Sequence, residues 1–158
     1  MPTEAAIRTG VEILLVEDNP LDRELTVLAL RSANLANEIH CVNDGEEALD
    51  FLFCQGFYHK RAVLAPPDLI LLDINLPKID GIEVLQAIRA HVRTITIPVV
   101  VLTSSDEEPN LSEARKLRVD AYIRKPIEMQ DFTRVVASIG MCYMLVKRRL
   151  PDGVVCRR

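Results

Sequence analysis

Short aliphatic runs recur along the chain without the alternation of a half-exposed strand: Val11 to Val16, Ile39 to Val42, Leu69 to Leu72, and Ile97 to Leu102 with Pro98 at its start. Runs of this kind predict strands covered on both faces. A fifth strand is predicted over Asp120 to Ile123. Between the runs, apolar residues return at three- and four-residue spacing and predict helices. Leu21, Leu25, Leu28 and Ala29 mark the first, to about Ala33, and Ala48, Leu49, Leu52 and Phe53 face the second inward. Ile82, Leu85 and Ile88 mark a third, from Gly81 to about Ala90. A weaker helix runs from about Asn110 to Leu117, and a last one begins near Glu128 with Phe132, Val135, Val136 and Ile139 on one side.

The polar positions punctuate these elements. Asn19 can cap a helix whose first position Pro20 suits, Asp44 and Glu47 have capping-box spacing, and Pro77 with Asp80-Gly81 ends one loop and opens the third helix. Residues 1–10 lack periodicity and are expected to be a flexible leader, residues 11–150 a single domain with an extended last helix, and residues 151–158 a tail. Gln55 to Pro67 reads as a long connection whose His59-Lys60-Arg61 triplet is solvated surface. Five strands alternating with helices predict an α/β protein, a doubly wound five-stranded parallel sheet with right-handed crossovers. The common order for five strands is 2-1-3-4-5, the flavodoxin-like arrangement. In that order Glu17-Asp18, Asp73, Thr103 and Lys125, each following a strand, meet at one edge of the sheet.

Length and charge narrow the functions. The 158 residues suit one domain, and a net charge of −4 lacks the basic excess of a nucleic-acid binder. No apolar stretch approaches a membrane span and no signal peptide opens the chain, so a cytoplasmic protein is expected. Cys41, Cys54, Cys142 and Cys156 form no C-x-x-C pair and the histidines are scattered, which argues against zinc and makes Cys41, Cys54 and Cys142 small apolar fillers.

Asp73 directly follows four aliphatic residues, where an ionised carboxylate is costly unless it is compensated. Beside Glu17 and Asp18 it forms a group of carboxylates that cannot all stay ionised without a cation. An all-oxygen donor set suits Mg²⁺, with the Asn75 carbonyl as a further ligand. With its charge offset, Asp73 becomes a nucleophile toward a phosphoryl group, while Thr103 and Lys125 can pair with phosphoryl oxygens. Taken one at a time, each has an ordinary reading: Asp18 as a helix cap, Thr103 as a strand-end hydroxyl and Lys125 as a surface lysine. The three ordinary readings holding together is the weaker account.

Glu17-Asp18, Asp73 with Pro77 and Gly81, Thr103-Ser104 and Lys125-Pro126 together resemble the receiver domain of two-component response regulators, over about Val11 to Val146. The resemblance implies phosphorylation of Asp73 by the phosphohistidine of a sensor kinase, and Mg²⁺ on Asp18, Asp73 and the Asn75 carbonyl with Glu17 assisting through water. It also implies a coupled switch pair, Thr103 and Tyr122, and a cis Lys125-Pro126 bond. The run Asn75 to Lys78, the long Gln55 to Pro67 connection and the extended last helix look like the single-domain regulators of cyanobacterial and bacterial phytochromes. Ile79-Asp80 departs from the Met-Asp that many receivers carry.

Two other functions compete. A haloacid-dehalogenase-type enzyme resembles this strand end but carries a second aspartate where Asn75 stands, so no turnover enzyme is expected. A flavodoxin-like cofactor carrier needs a phosphate-binding loop where the chain has Glu17-Asp18. A receiver acting without phosphorylation is a further alternative, though every phosphorylation residue is present. With no output domain expected, signals leave through contacts with an unknown downstream protein. Past Gly140, Met141, Cys142, Tyr143, Met144, Leu145 and Val146 are apolar on every side of a helix, which predicts a homodimer with Met141, Tyr143, Met144 and Leu145 in its interface; the alternative is that the tail folds back on its own domain.

Overall fold

The computed structural model describes residues 11–32, 38–104 and 110–138. Five strands, β1 (Glu12–Val16), β2 (Glu38–Val42), β3 (Leu69–Asp73), β4 (Val99–Thr103) and β5 (Ala121–Arg124), pair in parallel in the order β2-β1-β3-β4-β5. Five helices lie between and after them: α1 (Pro20–Ser32), α2 (Gly45–Phe53), α3 (Gly81–Ala90), α4 (Asn110–Lys116) and α5 (Met129–Ser138). The predicted α/β class and strand order are therefore present.

Alternation along the strands divides the core. Leu14, Val16, Ile70, Leu72, Val99 and Val101 face α2, α3 and α4. Ile13, Leu15, Leu69, Leu71, Val100 and Leu102 pack with Ala29 and Leu30 of α1 and Phe132 of α5. Because both faces are covered, every residue of β1, β3 and β4 is buried. Phe51 is also buried, although the inward positions read from the sequence for α2 did not include it.

Three expectations are corrected, and the long connection gains an element of its own. Of the four residues that mark the α1 periodicity only Ala29 is buried: Leu21, Leu25 and Leu28 are 63%, 38% and 54% exposed, and Thr26 and Leu30 join Ala29 on the inward side. At α2 the box is half made, since Asp44 accepts the Glu47 N–H at 2.8 Å while the Glu47 carboxylate takes the N–H of Asn43, not of Asp44. The long connection contains a 3-10 helix, Gly56–Val63. Within it Arg61 is not solvated surface. Its guanidinium lies 3.9 Å from the Phe51 ring centroid and pairs with the buried Glu12 at the start of β1. A charge so deep in β1 needs a partner, and Arg61 supplies it from forty-nine residues away.

Residues 1–10, 33–37, 105–109 and 139–158 lie outside the described residues. So do Ile139, Cys142, Cys156 and the expected dimer residues Met141, Tyr143, Met144 and Leu145. Among the described residues no helix is long and apolar enough to cross a membrane.

Candidate functional site

Asp73 ends β3 and is 3% exposed. Its Oδ1 accepts the N–H of Asn75 at 3.0 Å, and its Oδ2 accepts from Lys125 Nζ at 2.9 Å. The loop beyond it is held from below by α3. Asp80 and Glu83 complete a reciprocal capping box, and Gly81 sits so close that a Cβ there would stand 2.6 Å from Ile74 Cα and 2.7 Å from the Asp73 carbonyl oxygen. Glycine is thus required by contact with the backbone that displays Asp73.

Lys125 reaches the site from the end of β5. Its N–H donates to the Thr103 carbonyl at 2.7 Å, and the following peptide bond to Pro126 is cis, as the resemblance implied. Its ammonium donates to Asp73, to Glu17 Oε2 at 3.0 Å and to Asp22 Oδ2 at 3.1 Å. Burial alone would lower the Lys125 pKa, but the bonds to Asp73 and Glu17 outweigh it and hold the ammonium above its ordinary range.

Glu17, wholly buried at the end of β1, accepts the Asn19 N–H at 3.1 Å. Burial first, and the Asp73 charge second, push its carboxyl up to about 7 against the opposing hydrogen bond from Lys125. Asp18 is exposed at the rim. Asn19 caps α1, its Oδ1 accepting from Leu21 and Asp22. Arg23 in turn clamps the loop, donating to the Glu17 carbonyl at 3.1 Å and to the Asn43 side chain.

Carboxylate oxygens of Glu17, Asp18 and Asp73 lie within 4.8 Å of one another. This donor set is all oxygen and anionic, without thiol or imidazole, and so fits a hard divalent cation. Thr103 closes β4, 2% exposed, beside Lys125. Tyr122, 37% exposed on β5, stands level with Val101, two positions before Thr103 on the neighbouring strand.

Glu17, Asp18, Asp73, Asn75, Thr103 and Lys125 are thus grouped at the carboxyl edge, and Tyr122 lies on the adjoining strand. Asp22 and Arg23 were not foreseen. Their signal was the placement of a charged pair in the first turn of the helix that directly follows Glu17-Asp18. The other group of possible metal-binding side chains among the described residues, Glu12, Glu38 and His40, lies at the opposite edge. There the Arg61 guanidinium already answers the Glu12 charge.

A family model described as the response regulator receiver domain matches residues 13–137. Among curated proteins the chain is 39% identical over 127 residues to the probable methanogenesis regulatory protein FilR2 of Methanothrix harundinacea, covering 80% of this chain and 79% of that one. It is also 39% identical over 127 residues to response regulator Rcp1 of Synechocystis sp., covering 80% and 84%. The solved Mn²⁺-bound form of Rcp1 aligns over 94% of this chain and 99% of its own, at 34% identity and a TM-score of 0.67. The bacteriophytochrome response regulator AtBRR aligns over 83% and 93%, at 46% identity and a TM-score of 0.76.

Proposed function

The chain belongs to the response regulator receiver family, and from that premise we propose that it takes a phosphoryl group onto Asp73 from the phosphohistidine of a phytochrome-type sensor kinase and signals through protein contacts. The observation that carries the assignment is the position of Asp73: a carboxylate at the end of a buried strand, within hydrogen-bond reach of Lys125 and beside Thr103, Glu17 and Asp18. Similarity to AtBRR, a bacteriophytochrome regulator, supports the kinase type.

In the transfer, an Asp73 oxygen forms a bond to phosphorus as the phosphorus–nitrogen bond breaks, and the histidine nitrogen keeps the electron pair. Asp18, Asp73 and the Asn75 carbonyl would hold Mg²⁺, with Glu17 assisting, and the ion would offset the crowded negative charge. Lys125 turns its Asp73 hydrogen bond toward a phosphoryl oxygen, and the Thr103 hydroxyl donates to another. Filling the site draws Thr103 inward, and Tyr122 follows. Asn75 stands where an aspartate would act as acid and base, so the chain catalyses only its own phosphorylation and slow dephosphorylation. It works in the cytoplasm, alongside the kinase domain that supplies it.

Incubation with a small acyl phosphate and Mg²⁺, followed by mapping of the adduct, tests the assignment: Asp73 carries the label and Asp73→Asn carries none. Label persisting undiminished in that variant would overturn it. We also propose a homodimer through Met141, Tyr143, Met144 and Leu145, supported by a sequence apolar on every side of a helix, with Lys147, Arg148 and Arg149 at the rim. Sedimentation of the wild type at micromolar concentration decides it, a monomer being the refuting result.

A further inference from the structure

The Lys125 ammonium has three hydrogens and three carboxylate partners: Asp73 at 2.9 Å, Glu17 at 3.0 Å and Asp22 at 3.1 Å. The three partners differ in what else they do. Asp73 and Glu17 belong to the oxygen cluster suited to a cation, and Asp73 is also the proposed phosphoacceptor. Asp22 stands outside that cluster. It occupies the first turn of α1, where a negative charge is favoured by the helix dipole, and Asn19 Oδ1 accepts its N–H at 3.1 Å. The Thr26 hydroxyl, one turn on, donates to its carbonyl at 2.8 Å, so the residue is fixed from both sides of its backbone.

We propose that Asp22 is a positioning residue for the phosphotransfer: it tethers the Lys125 ammonium to α1, so that the lysine remains beside Asp73 when cation binding or phosphorylation engages the other two carboxylates. This rests on the phosphoacceptor reading above and adds a residue to it. Asp22 touches neither the reacting atoms nor the cation cluster. It acts through Lys125. In its absence the ammonium leans wholly on Glu17 and Asp73, where it opposes a cation for the same oxygens, and the local negative charge that attracts the cation falls by one. Both consequences weaken Mg²⁺ binding and slow phosphorylation.

The test compares wild type, Asp22→Asn, Asp22→Ser and Asp22→Glu in the full chain. The Lys125 ammonium resonance, assigned by its loss in Lys125→Arg, is followed by ¹⁵N NMR without metal, and Mg²⁺ affinity is measured by calorimetry. The phosphorylation rate with a small acyl phosphate is read at fixed Mg²⁺. The neutral variants are expected to shift the ammonium signal, speed its hydrogen exchange and lose at least about threefold in Mg²⁺ affinity and rate, with Asp22→Glu restoring them. An unchanged ammonium signal in a folded neutral variant overturns the tether. An altered signal with unchanged Mg²⁺ affinity and rate overturns its part in the transfer. Should both neutral variants fail to fold, the role is structural and the proposal is refuted. Failure of the phosphoacceptor reading looks different: the wild type itself then takes no label on Asp73, while the metal-free signal still reports the tether.

Discussion

At the scale of single residues, the site is a contest between burial and charge. Glu17 is wholly buried, and its carboxyl is raised to about 7, by desolvation first and by Asp73 second. The folded state therefore holds a proton on Glu17 that the unfolded state has released, over the interval from 4.5 to about 7. A state that binds the extra proton is favoured at low pH, so the contribution of Glu17 is fully present below 4.5 and is lost as pH rises through about 7. In Glu17→Gln the side chain keeps its shape and cannot ionise. Urea unfolding without metal should show the wild type losing stability relative to Glu17→Gln between pH 4.5 and pH 8; parallel curves for the two proteins would contradict the account. The sequence showed that Glu17 follows a buried strand. It did not show that Glu17 shares one ammonium with Asp73 and Asp22, since the partners are separated by up to 108 positions.

At the scale of elements, local signals were legible where a residue's partner lay within a turn, and failed where it lay in another element. Asn19, Asp44 and Asp80 each accept backbone N–H groups at the helix starts where their types and positions placed them. The α1 stripe misled because periodicity shows that a helix has an apolar side without showing which side meets the sheet. Arg61 misled because its need is set by Glu12, on a different element. Gly81 is a third such case: it reads as a helix opener, whereas its larger role is contact with the Asp73–Ile74 backbone. In Gly81→Ala the new Cβ meets main-chain atoms at 2.6 to 2.8 Å, which no side-chain rotation relieves. The helix must retreat, and the loop bearing Asp73 goes with it. We expect about 1–3 kcal/mol of lost stability, as for overpacking, together with slower phosphorylation. Asp80→Ala is the control: it forfeits the cap, about 1 kcal/mol, and leaves the approach of α3 to Asp73 unaltered, so its rate should stay near wild type. Equal rates in the two variants would show that the close contact does not place the site.

At the scale of the whole molecule, alternating strands and helices were enough to predict the sheet order, and the sheet order was enough to gather Glu17, Asp18, Asp73, Thr103 and Lys125. What alternation cannot supply is the conformation of side chains that have two places to go. Tyr122 is 37% exposed, while Thr103, two positions further along the neighbouring register, is buried against the site. The Thr103 carbonyl holds the Lys125 N–H at 2.7 Å, so the ends of β4 and β5 are already joined at the point where a phosphoryl group would arrive. A phosphoryl oxygen that drew the Thr103 hydroxyl toward Asp73 would leave space beside β5. Burying the Tyr122 ring there would recover apolar contact and change the shape of the surface formed by α4, β5 and α5. A beryllofluoride adduct on Asp73, standing in for the phosphoryl group, should therefore make the Tyr122 ring inaccessible to a soluble paramagnetic probe, measured with ring-labelled tyrosine. Thr103→Ala should still take up the adduct yet leave the ring accessible, because the hydroxyl that links the two ends is gone. A Tyr122 ring that stays equally accessible in the wild-type adduct would mean that the signal leaves the domain by a path other than β5.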